Sequence, residues 1–287
     1  MSSYNVLDRY HPIVATLYFI SVICVVSLNL HPITLMISLI GAITNGIVFR
    51  KHDILKYVIA GIPFMIFVTI VNVAFNHKGD TILFYVNYNP ITLESVVYGV
   101  VLGTLYLTVI LWFLSVERVL TSDKILIVTG YLSPEVSLVI SMAMRFIPRY
   151  KAKLKEIFMT QSCLGNNVKK ANFVRKIIIS VNCISILITW ALENAIETSD
   201  TMKCRGFGSK KHRTAYHAIR LKHMDIIAII LILLMDIVMF ITSRGVWYSY
   251  TTKLSVLFNS RLYIFESVYL VMCSIPTVLT LKDLKKW

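Results

Sequence analysis

The sequence predicts an all-α polytopic membrane protein, with about six transmembrane helices and two further long helices in the cytoplasm. Of its 287 residues, 56% are hydrophobic and only 15% are charged, which is far from the composition of a soluble domain. Several apolar runs are long enough to cross a hydrocarbon core of about 30 Å, for which about 20 residues are needed. Most of the positive charge lies in a single region between such runs. Together these features predict membrane spans that flank a basic cytoplasmic segment.

Six apolar runs are predicted to span the bilayer. They are residues 13–30, 33–49, 55–75, 96–116, 226–243 and 262–281. A seventh run, 177–192, is shorter and continues without a break into a polar helical pattern. This run either dips into the bilayer or lies along its surface, and the sequence leaves both possibilities open.

The charge distribution predicts the orientation of the spans. Sixteen Lys and Arg residues and four acids lie between Arg145 and Lys222, which places +12 of the formal net charge of +14 in that region. Because basic segments favour the cytoplasmic side, this region and both termini are predicted to be cytoplasmic and residues 76–95 external. The expected localisation is the plasma membrane. The predicted parts are four spans in 1–120, a cytoplasmic region in 121–222 and two spans in 223–287.

The first helix of the basic region is predicted to begin at Ser133, an N-cap residue, with Pro134 in the first helical position. It ends near Gly165, and one of its faces is less polar than the others. That face comprises Tyr150, Leu154, Ile157, Phe158 and Gln161. Pro148 removes a backbone hydrogen bond, so we expect the helix to bend there, next to Arg145.

The second helix repeats this plan. It is apolar from 177 to 192, and then Glu193, Glu197 and Asp200 recur at helical spacing before the chain reaches Gly206. Acids followed by bases suit the dipole of a helix that ends at this glycine. Both helices therefore have an apolar start, a polar second half, and a small residue near a glycine at the tip.

These residues resemble the transmembrane T component of energy-coupling factor (ECF) transporters, which import cobalt and vitamins. The resemblance rests on "LESVVYGVVLGTLYLTVILWF", "SMAMRFIPRYKAKLKEI", the two similar helix tips and "MKCRGFGSKKHRTAY". It covers most of the chain, and its most specific parts are "RFIP" and "RGFG" followed by "RT". The family implies that the two cytoplasmic helices are coupling helices, whose Ala-Arg-Gly tips dock on two ATP-binding-cassette (ABC) ATPases.

The resemblance assigns the tips residue by residue. The coupling residues it implies are Cys163, Leu164 and Gly165 in the first tip, and Cys204, Arg205 and Gly206 in the second. Leu164 replaces the arginine of the family signature, so the two contacts are expected to differ in chemistry. Further basic residues, Lys210, Lys211 and Arg213, are expected to steer or brace the second tip.

The resemblance also implies the partners. They are the two ATPases, which bind ATP and Mg²⁺, a small substrate-binding membrane subunit, and the lipid bilayer. This chain is then a non-catalytic subunit with no cofactor and no nucleic-acid partner. The carried vitamin or metal ion is selected by the other membrane subunit.

Other candidate sites carry weaker signals. Gly99 and Gly103 form a G-x-x-x-G pattern that favours close helix packing. Asp236 lies within a span and is either a functional acid or a structural hydrogen-bond partner of another helix. His212, His217 and His223 lack the spacing of metal ligands on a helix. The five cysteines include no C-x-x-C pair, so neither a disulfide framework nor a zinc site is indicated.

Two other classes of function remain compatible with the sequence. A membrane-embedded lipid enzyme could hold phosphate head groups on the basic face and use Asp236, but no acid cluster or metal motif accompanies that residue. A self-contained secondary transporter would show an internal repeat and paired broken helices, which are absent from the sequence. Lipid attraction alone explains basic residues near a membrane, but it does not explain two matching helix tips.

The charge pattern makes a prediction about topology. In a cysteine-free background, a cysteine in place of Asn87 should react with an impermeant thiol reagent added to intact cells, because residues 76–95 are predicted to be external. A cysteine in place of Lys210 should react only after the cells are opened. Labelling of the Lys210 position in intact cells would contradict the predicted orientation.

Overall fold

The computed structural model describes residues 10–50, 54–76, 79, 81–86, 89–166, 172–209, 221–243 and 260–284. These residues form nine α-helices and one two-stranded sheet, which confirms the predicted all-α polytopic class. The chain groups into two compact units. We call Met1–Ile125 together with Ile219–Trp287 the membrane unit, and Leu126–Ala218 the hairpin unit. The division into three parts predicted from the sequence stays a prediction.

All six predicted spans are helical. The helices are α1 (Pro12–Leu28), α2 (Pro32–Arg50), α3 (Ile54–Phe75), α4 (Leu93–Val119), α5 (Ser122–Leu132), α6 (Pro134–Cys163), α7 (Phe173–Cys204), α8 (His223–Ser243) and α9 (Ser260–Leu284). Within the described residues, α3, α4, α7, α8 and α9 are long and apolar enough to cross a membrane, and α1 and α2 are shorter apolar helices. The seventh apolar run thus lies in a helix whose length and composition allow a span.

Two segments differ from the prediction. The segment that is predicted to be external contains a β-hairpin, in which β1 (Ile82–Val86) pairs antiparallel with β2 (Asn89–Thr92). Glu94 holds this hairpin to the start of α4, because its carboxylate accepts a hydrogen bond of 2.8 Å from the Thr81 hydroxyl. Helix α5 was not predicted, since its short apolar run is too brief for a span and is interrupted by polar residues.

Both α1 and α2 begin with Pro-Ile, and a histidine directly precedes each of them. His11 Nδ1 accepts a hydrogen bond from the Ile13 N–H at 3.3 Å, and His31 Nδ1 accepts one from the Ile33 N–H at 3.4 Å. Each histidine thereby satisfies one of the N–H groups that a helix start leaves free, while the following proline has no N–H to satisfy. This repeated cap fixes the first residues of α1 and α2, which the apolar runs predicted only approximately.

The core of the membrane unit is built around Trp112. Its ring contacts Tyr18 and Phe19 edge-on, with centroids 6.4 and 6.3 Å away. The indole N–H donates to Ser38 Oγ at 2.9 Å, and the Tyr269 hydroxyl donates to the same oxygen at 2.8 Å. Helices α1, α2, α4 and α9 therefore share one core, in which these polar atoms are hydrogen-bonded.

Helices α3 and α4 approach closely at Gly99 and Gly103. A Cβ atom added to Gly99 would lie 3.0 Å from Thr69 Cα. One added to Gly103 would lie 2.5 Å from Met65 Cγ and 3.0 Å from the Met65 backbone oxygen. The G-x-x-x-G pattern thus lies at an internal helix contact.

This contact makes a prediction about stability. Gly103→Val should lower the free energy of unfolding by about 1–3 kcal/mol, because the new side chain overlaps the backbone of α3. Gly130→Ala is the control, since its Cβ would meet only the Ser137 side chain, with Oγ at 3.4 Å and Cβ at 3.7 Å. Thermal unfolding of the purified protein in mild detergent measures both. An unchanged unfolding temperature for Gly103→Val would show that α3 and α4 do not pack in this way.

Candidate functional site

In the hairpin unit, α6 packs against the first half of α7. Ile157 of α6 is buried with Ile179 and Cys183 of α7, and half-buried Leu154 and Phe158 pack around them. Tyr150, Leu154, Ile157, Phe158 and Gln161 are all at least partly buried, as the sequence pattern predicted. The opposite faces of both helices are exposed.

Trp190 of α7 contacts several side chains of α6. Arg149 and Lys153 of α6 lie over its ring, at 5.3 and 5.6 Å from the ring centroid. Tyr150, which stacks on Phe146, meets the same ring edge-on at 5.8 Å. Cation–π contacts of this kind contribute roughly 0.5–1 kcal/mol each at exposed sites. The indole therefore joins α6 to α7 and gives two basic side chains a fixed position.

The paired residues show that α6 and α7 run antiparallel. Tyr150 meets Trp190, while Ile157, further along α6, meets Cys183, which lies earlier in α7. The carboxyl ends of the two helices therefore point in opposite directions. Cys163 and Cys204 lie 13 and 14 residues beyond the Tyr150–Trp190 contact, so about 40 Å of helix separates the ends at 1.5 Å per residue.

The first tip, Cys163–Leu164–Gly165, has a regular C-terminal cap. The Gly165 N–H donates to the Ser162 carbonyl at 3.3 Å, and the Asn166 N–H donates to the Gln161 carbonyl at 3.0 Å. Gly165 has a φ of +87°, a left-handed conformation that suits glycine. These two bonds define a Schellman motif. Leu164, at the cap position, is 70% exposed.

The second tip, Cys204–Arg205–Gly206, repeats this geometry. The Gly206 N–H donates to the Lys203 carbonyl at 2.9 Å, and the Phe207 N–H donates to the Met202 carbonyl at 3.0 Å. Gly206 has a φ of +78°. Arg205 takes the cap position that Leu164 takes in the first tip, with nearly the same backbone angles.

The backbones of the tips match, whereas their side chains differ. An exposed apolar side chain stands at the end of α6, and an exposed cation stands at the corresponding position of α7. Arginine offers a planar set of donors that binds a carboxylate through two hydrogen bonds, and leucine offers only apolar surface. The two helix ends therefore have the same backbone geometry but different side-chain chemistry at the cap position.

The two residues of the predicted bend lie on α6, apart from the tips. Arg145 and Pro148 are exposed on α6, and the helix continues through Pro148 without interruption. The bend at Pro148 stays a prediction. Lys210, Lys211 and Arg213, together with His212 and His217, lie outside the described residues. His223 is the exposed first residue of α8.

Asp236 makes a hydrogen bond to a neighbouring helix. Its Oδ2 accepts from the Ser21 hydroxyl of α1 at 2.6 Å. Asp236 therefore makes the hydrogen bond to another helix that was given as its structural role. Within the described part of the chain, no group of three or more His, Cys, Asp or Glu side chains could hold a metal ion.

Sequence reasoning missed two buried carboxylates that meet the histidine-capped helix starts. Asp225 accepts a hydrogen bond of 3.0 Å from the backbone N–H of His11. Glu266 accepts one of 2.6 Å from the Thr34 hydroxyl, and its Oε1 lies 3.6 Å from His31 Nδ1. The repeated "HPI" was a visible signal for the caps, but nothing local in the sequence linked the caps to these acids.

The described helices define a polytopic helical membrane protein in which α6 and α7 form an antiparallel hairpin. The model of the CbiQ cobalt transport protein family matches residues 4–216, which is well over half of the chain. The chain therefore belongs to this family. The match also confirms the predicted resemblance to ECF T components, because curated relatives carry that name.

Three such relatives are energy-coupling factor transporter transmembrane proteins EcfT. The Streptococcus thermophilus protein is 23% identical over 248 residues, which span 82% of this chain and 92% of the relative. The Lactococcus lactis protein is 22% identical over 214 residues, or 69% and 79% of the two chains. The Staphylococcus aureus protein is 26% identical over 107 residues, and this alignment spans 37% of the chain and only 40% of that relative's length.

Packing at Trp190 makes a prediction about the hairpin unit. Trp190→Ala should lower its stability by about 2–3 kcal/mol, because the indole packing and both cation–π contacts are lost. Amide hydrogen exchange should then speed up in α6 and α7 and stay unchanged in α1–α4. Ile188→Ala is the control, because Ile188 is 54% exposed and should have little effect. Equal exchange in wild type and Trp190→Ala would mean that the indole does not hold the helices together.

Proposed function

We propose that this protein is the transmembrane coupling subunit of an ATP-driven ECF-type importer in the plasma membrane. The observation that carries the proposal is the pair of matching helix caps at opposite ends of one antiparallel hairpin, in a chain of the CbiQ family. A subunit that must engage two ATPases at once needs two docking ends that face apart. The separation of about 40 Å along the helices suits two neighbouring domains.

Each tip docks in a groove on one ABC ATPase. Arg205 pairs with a carboxylate in one groove, and Leu164 fills an apolar depression in the other. Gly165 and Gly206 let the chain turn away sharply, so that the cap residue is the part of each helix end that enters the groove. Lys210, Lys211 and Arg213 steer or brace the second contact. The unequal tips suit two non-identical ATPases.

The hairpin transmits force between its ends. ATP binding and hydrolysis move the two ATPases, and the tips follow their grooves. Because Trp190 and the cluster around Ile157 hold α6 against α7, a displacement of one tip moves both helices together. The bend at Pro148 directs this movement to the membrane helices, which then tilt or release a small substrate-binding membrane subunit.

The chain performs no chemistry of its own in this proposal. ATP and Mg²⁺ bind to the partner ATPases, and the vitamin or metal ion binds to the substrate-binding subunit. The basic region and both termini lie in the cytoplasm, where the ATPases reside. Lipid contacts of the remaining Lys and Arg residues keep the basic region near the membrane surface.

The unequal tips predict an order of effects. Arg205→Glu should cost about 2–5 kcal/mol of docking, because it leaves the partner's carboxylate without its cation. Leu164→Asp should be similarly severe, since it buries a charge, while Leu164→Ala should be mild and Lys211→Ala milder. Complex assembly and ATP-driven uptake measure these effects.

Matched controls separate docking from general charge and folding effects. Lys203→Glu makes the same charge change two residues from Arg205, on a side chain that is 73% exposed. Met159→Asp places an acid on α6 at a residue that is 57% exposed. Both controls should assemble better than the corresponding tip variants. If Arg205→Glu assembles and transports normally, the second tip has no coupling role. Its basic residues are then explained by attraction to the lipid surface.

A further inference from the structure

The membrane unit contains a lateral groove between α1 and α8, with a volume of about 560 Å³. Its walls are mainly apolar, and they include Leu17, Ile20 and Leu28 of α1 and Phe240 of α8. Asp236 also lines the groove. An ionisable side chain in an apolar membrane groove is costly, so its presence points to a function.

The hydrogen bonds of Asp236 are incomplete within the described part of the chain. Ser21 donates to Oδ2 at 2.6 Å, as described above. The other oxygen, Oδ1, is buried and has no hydrogen-bond partner among the described residues. Buried carboxylate oxygens are normally bonded, because an unbonded one loses its hydration without compensation. Oδ1 is therefore available to accept a hydrogen bond from a donor outside the described structure.

The depth of Asp236 limits what can supply this donor. Helix α8 has 21 residues, which is about 31 Å at 1.5 Å per residue and matches the hydrocarbon thickness of a bilayer. Asp236 lies seven residues before Ser243, the last residue of α8, and is therefore about 10 Å inside that end. Lipid hydroxyl and amine groups lie at the head-group level, whereas acyl chains at this depth have no donor. A protein side chain can carry a donor to this depth.

The shape of the groove suits a helix. The lining residues Leu17, Ser21, Cys24 and Leu28 recur every three or four residues along α1, which gives a stripe about 17 Å long, or three helical turns. Ser21 and Cys24 are small, and small residues allow close approach of a second helix in a membrane. Ser243 of α8 adds another small residue to the lining.

We propose that this groove binds a transmembrane helix of a partner membrane subunit, and that this helix donates a hydrogen bond to Asp236 from a Ser, Thr, Asn, Gln or Lys side chain. The site belongs to the membrane unit and involves neither helix tip. It deepens the proposed function by giving the membrane partner a point of attachment, and it can fail independently of ATPase docking.

Photocrosslinking in native membranes tests this proposal. The full chain is expressed with its own partners and carries a benzophenone amino acid in place of Ile20, in the groove, or of Ile59, on α3, as the control. These two side chains have similar exposure, 53% and 58%. The Ile20 position should crosslink to a transmembrane peptide of another membrane protein that contains one of the named donors. The Ile59 position should not give this product.

The carboxylate is tested in the same assay. Asp236→Leu should lower the crosslink yield roughly fivefold, in line with the strength of hydrogen bonds between membrane helices, and Asp236→Asn should stay within about twofold because its amide still accepts. Arg205→Glu should leave the yield unchanged, which separates this site from the tips. An equal yield for Asp236→Leu and wild type would overturn the proposal. A crosslink only to lipid, to a second copy of this chain or to residues 244–259 would also overturn it.

A second measurement needs no folding-sensitive variant. Dicyclohexylcarbodiimide, an apolar reagent for carboxyl groups in membranes, should modify Asp236 in the wild-type chain purified and reconstituted in lipid alone. The same residue should be protected in native membranes, where the partner helix occupies the groove. Equal modification in both preparations, or none in either, would contradict occupation of the groove by a partner.

Discussion

The absence of water from the bilayer core is the constraint on which the rest of this structure depends. Every backbone N–H and C=O group at that depth must be bonded within the protein, so each apolar run folds as a helix. The helix ends then need partners of their own. His11 and His31 supply them at the starts of α1 and α2, and Thr92 supplies one at α4, where its hydroxyl accepts from the Ser95 N–H at 3.3 Å.

The same constraint applies to side chains inside the membrane unit. Asn45 donates to the Cys273 carbonyl of α9 at 3.1 Å, and Ser38 accepts from the Trp112 indole of α4, so polar atoms link helices where apolar contact alone would leave them free to slide. Some buried oxygens stay without a partner in the described residues, among them Asn45 Oδ1 and one carboxylate oxygen each of Asp236 and Glu266. Of these two acids, Asp236 lines the groove between α1 and α8, where a further helix can reach it.

The sequence predicted the features that have local causes. The lengths of the apolar runs defined six helices. Pro134 marked the start of α6 and Gly206 the end of α7, because proline and glycine act on the backbone at their own positions. Helix α7 begins at Phe173, four residues before the predicted start at residue 177. This first turn was not predicted, because Arg175 and Lys176 are charged and precede the apolar run. The β-hairpin and the contacts of Trp190 were not predictable, since both depend on residues brought together from separate segments.

The two tips show how a shared fold can carry different contacts. A Schellman cap uses only backbone groups and one left-handed glycine, so the cap residue before that glycine contributes nothing to the turn beyond ordinary backbone angles. Leu164 and Arg205 can therefore differ completely while Gly165 and Gly206 keep the same geometry. Arg205 also offsets the negative end of the α7 dipole, whereas Leu164 leaves that of α6 without a cation at the same position. The difference between the tips thus reaches beyond one side chain to the electric field around each helix end.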